Sequence, residues 1–252
     1  MPSSELEGQV AFVTGGGRGI GANVARELAS AGMEVWVTGR TSGQVESVAA
    51  ETGGHALVGD VSKRDDVERW ARQAGAVDLL VCNAGINGPD DVFAEPELWW
   101  RTFEVNVLGV YLCCHAFAPA MVERGGGRIV NVASGAAYLP SSFGNPSTAY
   151  PSSKAAVNRF SEVLAAALAP QNVFVFSISP GLVKTEMTSD LSEDAPWTPP
   201  ECAPALVRAL ATGGFDELAG RYLHAEHDPP ESLRGRIAEI RENDLNTLRL
   251  RR

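Results

Sequence analysis

The sequence predicts an α/β fold of three layers, doubly wound around a central parallel sheet of about seven strands. Short Val-rich runs alternate with longer stretches of helical period, the pattern of successive βαβ units. The runs are almost continuously apolar, as strands covered on both faces must be. A glycine-rich turn joins the first run to the first helical stretch. With 252 residues, 44% of them hydrophobic, the chain can fill one large core.

The elements follow in order. Residues 9–14 (Gln-Val-Ala-Phe-Val-Thr) read as a strand, 20–31 as a helix, 34–38 as a second strand and 56–59 as a third. Residues 77–82, 128–132 and 173–178 continue the series, separated by helical stretches around 99–122 and 148–168. No repeat or linker divides the chain before about Asp228, so residues 1–228 read as one domain and 229–252 as a basic helical tail. Two irregular connections stand out, 134–147 and 180–200, both rich in Pro and Ser. In an open parallel sheet they emerge at the carboxyl ends of the strands, where ligands bind.

Lys and Arg total 21 against 31 Asp and Glu, a formal charge of −10, which argues against nucleic acid or an anionic membrane as partner. The tail is the exception: residues 234–252 hold six Arg and three acids. The four Cys form no Cys-x-x-Cys and no zinc spacing, so a reducing cytoplasm is expected and no metal. No basic segment followed by an apolar core opens the chain, and no window nears 18 uninterrupted apolar residues.

The turn reads Thr14-Gly15-Gly16-Gly17-Arg18-Gly19-Ile20-Gly21. Between a strand and a helix, such glycines let a pyrophosphate approach the backbone and the helix N-terminus. The identity of the dinucleotide turns on the end of the second strand. An Asp or Glu there suits a free 2′-hydroxyl, whereas a cation suits a 2′-phosphate. Here the chain reads Thr38-Gly39-Arg40, with Arg18 a possible second cation, so NADP is expected over NAD.

Tyr150-Pro151-Ser152-Ser153-Lys154 sets a phenol and an ammonium on one face at the start of a helix. A phenol ordinarily ionises near pH 10, so proton exchange around pH 7 takes about 4 kcal/mol of help. A nearby Lys cation has the right sign to give it.

The Gly-rich turn, Asn83-Ala84-Gly85, Asn106 in Val105-Asn106-Val107, Ser134 after the fifth strand, Tyr150-x-x-x-Lys154 and Pro180-Gly181 occur in the order of the short-chain dehydrogenase/reductase family. The resemblance runs from about Gly8 to Glu226 and implies a Rossmann-like fold and hydride transfer between a nicotinamide cofactor and a carbonyl or alcohol. It implies that Tyr150 is the acid/base, that Lys154 lowers its pKa and bonds the nicotinamide ribose, that Ser134 polarises the carbonyl, and that Asn106 holds a water behind Lys154. For the cofactor it implies Gly15, Gly17, Arg18, Gly19, Ile20, Gly21, Arg40, Asp60 and Val61 beside adenine, Asn83, Ala84, Gly85, Pro180, Gly181, Val183, and Thr185 on the carboxamide. A homodimer or homotetramer acting on a small molecule is expected. NAD-dependent alcohol oxidation by the same residues, or a dinucleotide-binding regulator without turnover, are the rivals.

Two features depart from the family pattern. Ser134 and Tyr150 stand 16 residues apart, longer than usual, so Ser141, Ser142 or Ser147 are alternatives to Ser134. The family's frequent Asp-Gly-Gly ending gives way to a segment with His224, Glu226, His227 and Asp228, which in a strand puts the two His on opposite faces. Trp197 is the expected substrate contact, Cys82 an inert thiol, and Trp99-Trp100 core or subunit packing. Leu233, Ile237 and Ile240, then Leu245, Leu248 and Leu250, mark the tail as a docking segment or a solvated end.

Overall fold

Every predicted apolar run forms a strand in the structure, a computed structural model that describes residues 5–140 and 147–250. Strands β1 (Val10–Thr14), β2 (Glu34–Gly39), β3 (His55–Val58), β4 (Leu79–Cys82), β5 (Gly127–Val132), β6 (Val173–Ser179) and β7 (Tyr222–His224) form one sheet in the order β3-β2-β1-β4-β5-β6-β7. All neighbours are parallel. The order reverses between β1 and β4, which opens a crevice at their carboxyl ends.

Helices cover both faces. On one lie α1 (Gly19–Ser30), α2 (Ser42–Thr52), α7 (Cys202–Ala211) and α8 (Pro230–Glu242), packed around Leu28, Val35, Phe176 and Leu206. On the other, α3 (Arg64–Ala74), α5 (Gly109–Glu123) and α6 (Ala149–Leu168) enclose Phe12, Trp70, Phe117 and Ile129. The rings of Phe12 and Phe117 meet at 4.5 Å there. Three helices, α2, α3 and α7, were not among the expected elements. In α3 only Val67 and Trp70 are buried among eleven residues, too few to print a helical period on a charged segment.

Helix α4 (Pro96–Phe103) runs through a π turn, Glu104–Leu108, into α5. By length and composition this 28-residue stretch suffices to cross a membrane. Its apolar residues Val105, Val110, Cys113, Cys114, Phe117 and Met121 are instead buried against the sheet.

The loop after β6 is closed at its base. Thr198 donates its N–H to Leu182 O (2.8 Å), and its hydroxyl accepts from Leu182 N (3.2 Å). The loop after β5 includes residues 141–146, so Ser141 and Ser142 lie outside the described residues.

The tail docks on its own chain. Leu233 and Ile240 are buried with α7, and Ile237 and Leu245 pack against them. Its cations meet acids: Arg236 pairs with Asp228, Arg241 with Glu217, and Arg249 with Glu162 and Asp244. Asn246 then covers the outer edge of β7. Its carbonyl accepts from Tyr222 N (2.8 Å), and its side-chain amide donates to Tyr222 O (2.9 Å) and Asp228 Oδ2 (3.1 Å). A sheet edge left bare would expose those groups.

The strand-edge role of Asn246 is testable because its φ of 58° is left-handed. Asn246→Ala loses the side-chain bonds and strains the backbone, so urea unfolding should show a loss of about 2 kcal/mol. Asn246→Gly keeps the backbone free and should lose about half as much.

Candidate active site

The crevice between β1 and β4 holds a cavity of about 550 Å³ lined from the Gly-rich turn to Tyr150. Thr14 and Asn83 set its floor. The Thr14 hydroxyl accepts from Asn83 N (3.0 Å) and Ala84 N (3.1 Å), and Asn83 Nδ2 donates to Thr14 O (3.0 Å) and Gly15 O (3.1 Å). Glycine is required in this packing. A Cβ on Gly15, whose φ is +63°, would stand 2.9 Å from Ala84 Cα, and one on Gly21 would stand 2.3 Å from Gly15 O.

Of the predicted cofactor residues, Gly15, Gly17, Arg18, Gly19, Ile20, Arg40, Asp60, Val61, Asn83, Ala84, Gly85, Tyr150, Lys154, Pro180 and Thr185 line the cavity. Gly21, Gly181 and Val183 do not: Gly21 packs behind the turn, and Val183 is buried beneath its loop. The N-terminus of α1 opens on the cavity with no acidic side chain in its first turn. Backbone without side chains, a helix N-terminus and Arg40 at one end fit an anionic dinucleotide.

The two predicted cations differ. Arg40 is exposed at the cavity and makes no ion pair among the described residues. Arg18 is paired with Glu186 of the loop after β6, a partner no local pattern announces. Asp60 brought a second surprise. Its Oδ1 accepts from the Ser62 N–H (2.9 Å) and hydroxyl (2.8 Å), and its Oδ2 from Arg101 (2.6 Å). Burial opposes ionisation of Asp60, but these bonds outweigh it and hold the carboxyl below its ordinary pKa. Arg101, 41 residues away on α4, was not a predicted site residue.

At the other end of the cavity, Ser134 and Tyr150 are hydrogen-bonded, and the buried Lys154 donates from Nζ to Val132 O (2.7 Å). Lys154 Nζ is 5.7 Å from the centre of the Tyr150 ring. Ser134 Oγ also accepts from Ala136 N (3.2 Å), which turns the chain just beyond β5. Ser147 caps the start of the Tyr150 helix, accepting from Tyr150 N at 3.3 Å.

Asn106 sits on the π turn, and such turns recur at functional sites. Its amide is taken up by the chain that follows Gly85: Oδ1 accepts from Ile86 N (2.9 Å), and Nδ2 donates to Ile86 O (3.0 Å) and Ser153 Oγ (3.0 Å). Holding the segment at Ile86 is thus its visible work.

Burial dominates the electrostatics here. It pushes the Tyr150 phenol above its ordinary pKa, with the Ser134 hydrogen bond acting the other way. It lowers Lys154 to about 8. The expected lowering of Tyr150 by the ammonium is absent from the protein alone.

Other predicted signals resolve simply. Strand β7 ends at His224, and the turn beyond it stacks the His224 and His227 rings at 4.2 Å, so the expectation of opposite faces was wrong. Burial, then His227, lowers the His224 pKa. Among the described residues no group of His, Cys, Asp or Glu could hold a metal. Trp197 donates to Glu193 O (2.9 Å) and lies under Lys184, which folds it into its own loop. Trp99 stacks on Phe103 at 4.6 Å and donates to Thr148, whereas Trp100 stays exposed. Cys82 is a buried thiol whose pKa is raised by its neighbours Cys113 and Cys114 and by burial.

A doubly wound sheet with a glycine-floored crevice and a Ser, Tyr and Lys at one end defines a nicotinamide-dependent oxidoreductase. The short chain dehydrogenase family model matches residues 9–196, and the chain belongs to the short-chain dehydrogenase/reductase family. It is 34% identical to a 3-oxoacyl-[acyl-carrier-protein] reductase of Synechocystis, over 82% of this chain and 90% of that protein. It is 38% identical to a short chain dehydrogenase of Pseudocercospora fijiensis, covering 73% of this chain but 62% of that longer relative. Among solved structures, it resembles a gluconate 5-dehydrogenase of Burkholderia cenocepacia in complex with NADP and tartrate. That match has a TM-score of 0.80 and 28% identity, and covers 91% of this chain and 98% of the other.

Burial of Lys154 has a measurable cost. Its pKa falls on folding from 10.5 to about 8. Below pH 8 the folded state therefore carries an ammonium it disfavours, by about 3 kcal/mol, and the cost fades as pH rises toward 10.5. Lys154→Met, inactive by expectation, should be the more stable apoprotein at pH 7 in urea unfolding, with the gap narrowing by pH 10. A gap independent of pH would refute the assignment.

Proposed function

We propose that the protein transfers hydride reversibly between NADP(H) and a small carbonyl or secondary-alcohol substrate, with Tyr150 as acid/base. The observation that carries this is the convergence of Tyr150 and Lys154, with Ser134 hydrogen-bonded to Tyr150, at one end of a cavity whose other end holds Arg40, which makes no ion pair among the described residues. The bound nicotinamide supplies or accepts the hydride at the substrate carbon. In reduction, the Tyr150 hydroxyl gives its proton to the substrate oxygen as negative charge grows there; in oxidation, the phenolate takes it back. Ser134 donates to the same oxygen, aimed where that charge develops. Lys154, its Nζ 5.7 Å from the centre of the Tyr150 ring, lines the same end of the cavity and would add its charge to the phenolate's support once the cofactor is bound, an effect absent from the protein alone.

NADP over NAD rests on Arg40, with Arg18 joining when Glu186 yields it. We place the enzyme in the cytoplasm, a reading supported by four free thiols, three of them buried. Homo-oligomers are supported by family membership and by half-exposed Tyr111 on α5 and Val163 on α6, beside the Tyr111–Phe160 ring contact.

Oxidation of NADPH across a panel of ketones tests the reaction: Tyr150→Phe should lose about 10³-fold or more in kcat, and activity surviving that change would defeat the mechanism. Arg40→Asp should reverse the preference of NADPH over NADH. Glu186→Gln frees Arg18 and should tighten NADPH more than NADH; equal effects on both would remove Arg18 from the 2′-phosphate site.

A further inference from the structure

The last backbone hydrogen bond between β5 and β6 runs from Ala133 N to Ile178 O, at 2.8 Å. One residue further the chains part. One carries Ser134 into its loop, and the other carries Pro180 and Gly181 toward Thr185 on the cavity wall. At that fork lies Ser179, 2% exposed. Its Oγ accepts from Gly135 N (3.2 Å) on one branch and from Gly181 N (3.3 Å) on the other.

We infer that Ser179 is a positioning residue for catalysis, whose hydroxyl fixes the loop bearing Ser134 against the loop bearing Pro180 to Thr185. This rests on the hydride-transfer reading above and extends it to a residue that touches neither substrate nor cofactor. Two part-buried amide donors at the fork need an acceptor, and among the described residues the Ser179 hydroxyl meets both. The same strand supplies the contrast: the Ser177 hydroxyl, equally buried, has no hydrogen-bond partner among the described residues. A serine on β6 is thus not bonded merely by being buried. The far side of Ser179 is fixed as well. Ala225 N donates to its carbonyl (2.9 Å), and the buried Tyr222 phenol beside it meets the edge of Tyr138, in the Ser134 loop, at 5.2 Å. The fork is therefore held from β5, β6 and β7 at once. Loss of the Ser179 hydroxyl would let Gly135, and with it Ser134, drift from Tyr150, and displacements of this kind are costly in rate.

The test is a double-mutant cycle on the full-length enzyme with NADPH and an active ketone. Ser179→Ala should lower kcat about tenfold and change the ketone KM little. Combined with Ser134→Ala it should add almost nothing, because it acts through Ser134. In the alcohol-oxidation direction, the acid limb of kcat/KM should move to higher pH in Ser179→Ala, as in Ser134→Ala. The sign follows from the Ser134 bond, which favours ionised Tyr150 and is weakened in both. Ser177→Ala should leave kcat and the pH profile unchanged. If the alanine variant does not fold, Ser179→Cys, near in size and a weak acceptor, gives the same cycle. Multiplicative losses, or an unmoved pH limb, overturn the role of Ser179 while leaving the reaction intact. A wild-type enzyme that turns over no carbonyl, or an active Tyr150→Phe, overturns the functional reading itself.

Discussion

The tie between Thr14 and Asn83 is the constraint on which the site depends. At the reversal of strand order, β1 and β4 end side by side and their chains leave in different directions. Nothing in a parallel ladder holds such ends together beyond the last paired residues. The Thr14 hydroxyl does so by accepting from two successive amides of the β4 turn, and the Asn83 amide returns two bonds to the β1 turn. Cavity floor, glycine packing and the opening of α1 all take their place from this exchange. A polar group at the end of two apolar strands is expensive to bury unless bonded, and the buried Thr14 hydroxyl and the Asn83 Nδ2 both are.

The opposite wall works by burial. Lys154 gives up water for the Val132 carbonyl, and both it and Tyr150 are pushed toward their neutral forms. That is the reverse of what proton exchange near neutrality asks of them. Ser134 alone acts toward the ionised phenol in the protein by itself. Burial raises the strength of each remaining interaction of Tyr150 and Lys154, so a small displacement of Ser134 has a large effect. Binding of an oxidised, cationic nicotinamide adds charge of the sign that Tyr150 lacks.

Much of this was legible in sequence, for physical reasons that also mark the limits. Strands covered on both faces write themselves as apolar runs, so β1 to β6 could be read within a residue or two. Glycines at the β1 turn were legible because backbone contact admits nothing else. Helix α3 was not, since two buried side chains suffice to seat it. The Asp60–Arg101 and Arg18–Glu186 pairs were invisible because only the folded chain brings those residues together. His224 and His227 misled because a strand period was applied past the point where β7 ends. The basic tail left two readings open that composition could not separate; its Arg236, Arg241 and Arg249 meet acids of the same chain.

Those pairs bear on how one fold can hold its chemistry while its substrate changes. Ser134, Tyr150 and Lys154 stand just past a strand end and on the first turns of α6, where backbone ladders fix them. The loops after β5 and β6 extend beyond these ends, and among the described residues their ties to the rest of the chain include Ser179 at the fork, Thr198 on Glu226, Asn87 on Met187 and Glu186 on Arg18. Between such anchors a loop can change length and composition at little thermodynamic cost. The longer spacing between Ser134 and Tyr150 in this chain is a change of that kind. That spacing lies between two anchors, Ala136 on Ser134 and Ser147 on Tyr150. The anchors are local and the loops are not, so the loops can vary while the strand ends and the start of α6 keep their place.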